Sequence, residues 1–244
     1  MNRRTGHRFS FVFVLAAALL ASVLLLMRGI DRPQPAAAQG THHYVADTGT
    51  DTGNDCTTSG SPCATLQHAI DVAAAGDTIL VAGGTYDTVN GRGGLSQIAY
   101  VSKTLTLRGG YSADFSAWDP DTYASILDSD DAGRGLYISG TISVTVESFV
   151  IQDNSATGLG GSLIGDDAGG GIYVVDATAT ISGNVVRQNV GSSNSDGNGG
   201  GIYMLDSDSR VLNNVITGNQ ASTGGGFWGS RGGGLCAEGG APWV

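Results

Sequence analysis

Asp176 and Asp206 each lie four residues beyond an isoleucine, Ile172 and Ile202, that recurs at a spacing of 30 residues. If the two segments stack, the carboxylates face each other at about 5 Å, where like charges repel unless a cation or solvent intervenes. Ca²⁺ is the cation that such oxygen ligands suit. With a carboxylated sugar held on it, an arginine or lysine could take the α-proton, which is the chemistry of a polysaccharide lyase. Arg187 and Arg210 are the arginines of the two clearest segments, and no lysine follows Lys103. The two arginines sit at different positions of the repeat, so two solvated aspartates at a turn are the plainer reading. A two-carboxylate hydrolase is less well supplied. Asp130-Asp131 and Asp166-Asp167 lie in polar loops, and His7, His42, His43 and His68 all fall outside the repeats.

A second candidate feature is aromatic. Tyr137, Tyr173 and Tyr203 each follow Leu136, Ile172 or Ile202 by one residue. The alternation of a strand turns them opposite to that interior marker, onto one face. Such a ladder offers flat rings edged by hydroxyls, which suits stacking against sugars. The competing reading is a ladder that only stabilises its own strands. Cys56 and Cys63 bracket a short polar loop and read as a disulfide in an exported chain, closing the loop with a gain of about 2–3 kcal/mol. A metal or redox pair would need further ligands or a CxxC spacing, and the sequence shows neither. Cys236 is left over, as a free thiol or an intermolecular partner.

The elements that must position these residues are written as repeats. Gly169–Asn189 reads GGGIYVVDATATISGNVVRQN and Gly199–Asn219 reads GGGIYMLDSDSRVLNNVITGN; a looser copy occupies Gly133–Asp153, and a fourth begins at Gly232. Each good copy holds three short strand-like runs, such as Ile172–Val175, Ala179–Ile181 and Val185–Arg187, separated by Asp, Gly and Asn. Glycine triplets and runs this short exclude a helix, and three strands per 30 residues describe a parallel β-solenoid. Ile172 then stacks on Ile202 in the interior, while Asn184 over Asn214 and Asn189 over Asn219 occupy two corners, where a side-chain amide can bond along the stack.

Upstream, Thr65–Gly76 reads as an amphipathic helix, with Leu66, Ala69, Ile70 and Ala73 on one stripe, placed to cover the open end of the stack before a first strand at Thr78–Ala82. His68 is expected in solvent. Strands are also expected at Thr104–Arg108 and near Ser125–Leu127. Residues 1–38 combine three early arginines, the apolar run Phe9–Met27 and Ala36-Ala37-Ala38. They read as a cleaved signal peptide, or as an uncleaved anchor, in which case this segment is the only route to a membrane. Residues 39–43 are a linker and 44–244 one domain, with the cap at 44–77 and clear repeats from about 133. Beyond residue 38 the chain carries 7 basic and 21 acidic residues, a net of −14. That charge argues against nucleic acid as a partner. The last copy dissolves into Cys236–Val244, and the expectation is a truncated copy of a longer protein.

GGGIY followed by Val186-x-x-Asn189 or Ile216-x-x-Asn219 resembles the repeat of right-handed parallel β-helix proteins of the pectate-lyase-like superfamily. It is closest to the polymorphic outer membrane protein type, whose paired signatures are GGAI and FxxN; an aliphatic residue here replaces the phenylalanine. The run Cys63–Tyr86 is similar to the N-terminal cap of exported bacterial β-helix proteins, and Arg108–Asp128 is similar to segments of large surface proteins of filamentous bacteria. The resemblance implies an all-β, right-handed parallel β-helix with a helical N-cap. It implies an extracytoplasmic, secreted or cell-surface protein. The motifs of pectate lyases are absent. The expected role is binding or adhesion, with extracellular polysaccharide or another cell-envelope component as partner and no cofactor unless Ca²⁺. The alternatives are the Ca²⁺-dependent lyase and a structural surface spacer.

Overall fold

The short β-branched runs pair in parallel, each with its counterpart in the neighbouring copy. The computed structural model describes residues 40–224 and 229–244; the segment 1–38, and the signal or anchor read there, lie outside them. Among the described residues the chain is all-β apart from one short helix. The first sheet takes, in spatial order, His42–Val45, Thr78–Ala82, Leu105–Tyr111, Ser143–Glu147, Thr178–Ser182 and Arg210–Leu212. The second takes Leu95–Val101, Arg134–Ser139, Ile172–Val175, Ile202–Leu205 and Leu235–Glu238, with Asn90–Arg92 added antiparallel at its start. The third takes Gly84–Tyr86, Ser125–Asp128, Phe149–Gln152, Val185–Arg187 and Val215–Thr217. Apart from the antiparallel Asn90–Arg92, each of these sheets is parallel, and chain order visits the second, first and third sheets in turn.

Register follows the repeat. Leu136, Ile172, Ile202 and Leu235 are successive partners, and so are Val150, Val185 and Val215. Leu136, Ile172 and Ile202 are fully buried in one continuous apolar cluster that draws side chains from all three sheets, among them Leu107, Val146, Ile181, Phe149, Ile151 and Val186. Burial of an aliphatic side chain is worth about 1.5–3 kcal/mol, and period-two alternation delivers one such residue per strand pair to the interior.

The asparagines form the expected ladders. Nδ2 of Asn189 donates to Oδ1 of Asn219 at 2.9 Å, and Nδ2 of Asn154 donates to Oδ1 of Asn189 at 2.9 Å. Nδ2 of Asn184 likewise donates to Oδ1 of Asn214 at 3.0 Å. Each amide also takes a backbone N–H from the preceding copy, as in Asn154 N to Asn189 Oδ1 at 3.2 Å and Phe149 N to Asn184 Oδ1 at 3.0 Å.

The helix is shorter than its sequence pattern, Leu66–Val72 rather than Thr65–Gly76. Thr65 caps it, accepting from His68 N, and Leu66, Ala69 and Ile70 are buried against the end of the core. It stops early because Asp77 captures the following backbone: its Oδ2 accepts from Ala74 N at 2.8 Å, and its Oδ1 from Thr41 N at 2.8 Å. Nε2 of His43 lies 2.9 Å from the same carboxylate. Burial opposes the charge of Asp77, but the bond from His43 and those from Ala74 and Thr41 outweigh it and hold the carboxyl below its ordinary value. A depressed carboxylate contributes stability that is complete above the unfolded value near pH 4 and is lost as pH falls through the lower native value. Urea unfolding from pH 5 to pH 2 should therefore show a decline that is shallower in Asp77→Asn, which starts from a lower stability at neutral pH. An identical acid limb in both proteins would show that Asp77 contributes nothing to it.

Cys56 and Cys63 are joined in a disulfide, with Cα atoms 5.2 Å apart and both residues fully buried. The loop they close is stitched to the first strand by Tyr44 N to Cys56 O at 2.7 Å and Cys63 N to Tyr44 O at 2.9 Å.

Candidate functional site

The tyrosine ladder exists and is longer than the sequence suggested. Tyr100, Tyr137, Tyr173 and Tyr203 are successive register partners, with ring centroids 4.9, 5.1 and 6.0 Å apart. Tyr173 and Tyr203, with Tyr137 packed against them, lie apart from the main core in a cluster of their own. The expectation of an accessible aromatic face at Tyr137, Tyr173 and Tyr203 is nevertheless corrected: Tyr173 is 5% exposed and Tyr203 0%, leaving Tyr137 and the added Tyr100 partly open. The glycine-rich loop between the first and second copies lies over Tyr173. Tyr173 donates to the carbonyl of Gly161 at 3.0 Å. Arg134, wholly buried, sits 4.6 Å from the Tyr173 ring centroid and donates to the carbonyls of Ala168 at 2.9 Å and Gly160 at 2.6 Å. Burial pushes its guanidinium down to about 10. Asp167 holds the same loop by accepting from the backbone N–H groups of Gly158 and Gly160, both at 2.9 Å. At the far end Tyr203 donates to Glu238 at 2.5 Å; burial and that carboxylate together raise the phenol. A sugar ring cannot stack on rings so covered.

The lyase residues do not converge. Asp176 and Asp206 are exposed and follow paired strands, as the repeat requires, and Asp176 N donates to Leu205 O at 3.2 Å. Among the described residues no third acidic or histidine ligand joins them. Arg187 projects from the third sheet, where Nε and Nη2 both donate to Oε1 of Gln152 at 2.9 and 2.6 Å. Arg210 belongs to the first sheet instead. Alternation around the repeat, which places one arginine on each of two sheets, is what separates them.

The first sheet carries the surface that sequence reading missed. Its inward residues Leu105, Leu107, Val144, Val146, Ala179 and Ile181 build the core. The residues between them point out, and they are hydroxylated. Thr78, Thr106, Thr145 and Thr180 are consecutive register partners, with Arg210 next in line. A second row runs through Thr104, Ser143 and Thr178: Ser143 pairs with Thr178, and Ser143 N donates to Oγ1 of Thr104 at 3.2 Å. Rows two residues apart along a strand are about 6.6 Å apart, and neighbours across strands about 4.8 Å. Apart from Thr78, these residues line, together with Gly76, Asp208 and Arg210, an open depression of about 460 Å³. Thr106, Thr145, Thr178 and Thr180 make no side-chain hydrogen bond to any described residue, so each offers one donor and two acceptor sites outward. The pattern was present in the sequence as Thr104-x-Thr106, Ser143-x-Thr145 and Thr178-x-Thr180, but β-branched Thr is an ordinary strand residue, and only the register makes it a grid.

No protein-family model matches this chain, and neither a curated protein nor a solved structure matches it.

Proposed function

We propose that this chain is an exported right-handed parallel β-helix of the pectate-lyase-like kind. In this reading it binds extracellular polysaccharide without cleaving it, through the threonine and serine face of its first sheet. The observation that carries the reading is the grid of outward hydroxyls, of which those of Thr106, Thr145, Thr178 and Thr180 have no hydrogen-bond partner among the described residues. Sugar hydroxyls both donate and accept, as threonine hydroxyls do, and the threonine methyls provide the apolar contact that sugar ring faces need. An extended polymer lying across strands meets equivalent groups at each step, so weak single contacts accumulate. The successive parallel sheets and in-register repeats support the β-helix, and the Cys56–Cys63 bond fits an oxidising, extracytoplasmic location. A net of −14 beyond residue 38 disfavours nucleic acid.

The test is affinity electrophoresis of the wild type, Thr145→Val and Tyr173→Phe against a panel of neutral and acidic polysaccharides. Retardation by at least one polymer is expected, about tenfold weaker or more in Thr145→Val, equivalent to about 1.4 kcal/mol, and unchanged in Tyr173→Phe. Binding lost in Tyr173→Phe but kept in Thr145→Val would return the site to the tyrosines. No retardation by any polymer would leave the spacer reading, and release of unsaturated sugars would reinstate the lyase.

A further inference from the structure

Beside the first strand two sulfurs and an imidazole meet. Cys56 and Cys63 are buried, and His68 reaches them from the first turn of the helix Leu66–Val72. His68 is half-buried, contrary to its expected place in solvent. Both Sγ atoms and a ring nitrogen of His68 lie within 4.8 Å of one another. Nε2 of His68 is 2.8 Å from the carbonyl oxygen of Asn54. A carbonyl oxygen only accepts, so Nε2 carries the hydrogen and, in the neutral ring, the lone pair is on Nδ1. One imidazole nitrogen free to ligate while the other donates to a backbone carbonyl is the arrangement found in metal-bound histidines. The third ligand that the sequence did not show is supplied by the fold.

We propose that this chain, when its Cys56–Cys63 bond is reduced, binds one zinc-type divalent cation through the two cysteine thiolates and Nδ1 of His68. The exchange balances. A dithiol passes two electrons and two protons to the disulfide and becomes a disulfide itself, leaving two thiols in the protein. The cation then displaces both thiol protons to solvent and takes two thiolates and the imidazole lone pair. In a tetrahedral zinc site, Zn–S bonds of about 2.3 Å and Zn–N bonds of about 2.1 Å place ligand atoms about 3.4–3.8 Å apart. That spacing lies inside the observed 4.8 Å envelope, so the sulfurs need only part from bonding distance. Three protein ligands leave the fourth position to water. Two thiolates and an imidazole select zinc or cobalt over calcium or magnesium. The cation ties together the same two cysteines, seven residues apart, that the disulfide ties in the oxidised protein.

The test is an anaerobic titration of the full chain with Co²⁺, after reduction by a dithiol and its removal. One equivalent should bind the reduced wild type, giving thiolate-to-cobalt charge transfer in the near ultraviolet and the intense visible bands of a tetrahedral site, both bleached by one equivalent of Zn²⁺. The oxidised wild type should show neither signal. His68→Ala, shown by its oxidised form to retain the strand-rich circular dichroism of the wild type, should bind at least tenfold more weakly once reduced. Equal binding by reduced His68→Ala and wild type, equal binding by the oxidised protein, or no tetrahedral spectrum from reduced wild type would each overturn the proposal.

Discussion

Asn189→Ala is expected to lower the stability of this protein by about 3–5 kcal/mol, because it strands several buried polar groups at once. The side chain is fully buried. Its Nδ2 donates to the carbonyl of Ile151 at 2.9 Å and to Oδ1 of Asn219 at 2.9 Å, and its Oδ1 accepts from both N and Nδ2 of Asn154. An alanine satisfies none of these groups and leaves a void in place of the amide. Nearby water cannot take over, since the ladder runs inside the wall between strands. Asn214→Ala, at a half-buried position one copy further along the other ladder, should cost about 1 kcal/mol, because solvent can replace the lost bonds. Urea unfolding measures both: the midpoint should fall with little change in slope. A midpoint for Asn189→Ala that implies a loss under about 1 kcal/mol would show that the amide ladder is not a principal source of stability.

Gly170→Val should do comparable or greater harm by a different route. A Cβ at Gly170 would collide with the carbonyl oxygen of Val190 and stand 2.8 Å from that of Gly200. A Cβ at Gly200 would in turn collide with the carbonyl of Gln220. These obstacles are backbone atoms held in the ladder, so no side chain can swing aside, and a loss of at least about 3 kcal/mol is expected. Gly183 supplies the control. It has φ +63° with nothing near its missing Cβ, so Gly183→Ala should cost only the left-handed backbone penalty of about 1–2 kcal/mol. In a domain of this size each kcal/mol moves Tm by about 2–4 °C, which separates the two outcomes cleanly. A loss for Gly170→Val no larger than that for Gly183→Ala would show that close backbone approach does not require glycine at Gly170.

The contrast between these glycines shows what a sequence conveys and what it withholds. The spacing of Ile172 and Ile202 was enough to place them as register partners, and alternation was enough to turn Tyr173 away from Val174 and the main core. Both are consequences of local geometry. The covering of Tyr173 was not legible, because it depends on Gly161, Ala168 and the buried Arg134, whose positions are fixed by contacts across the fold. A glycine-rich stretch reads as an exposed loop whether it projects or folds back. The C-terminal limit of the helix was misread for a related reason: Ala73 continues the apolar stripe, but the carboxylate of Asp77 takes the N–H of Ala74. The hydroxyl grid was visible residue by residue and invisible as a surface, since its rows join strands 28 to 39 residues apart through Thr78–Thr106 and Thr106–Thr145. His68 was likewise out of sight of Cys56 until the loop closed.

The register has a consequence at the level of the gene. Leu136 pairs with Ile172, Ile172 with Ile202, and Ile202 with Leu235, each strand touching the next equivalent strand on either side. Removing residues 172–201 would join Gly171 to Ile202 and present Leu136 with a partner of the same type, while Asn154 would meet Asn219 in place of Asn189. Unequal crossing-over between two stretches of 30 codons keeps the reading frame and yields a chain whose cut ends already match. Inheritance can therefore lengthen or shorten this molecule in whole units, leaving the cap, the disulfide and the surviving hydroxyl rows as they were.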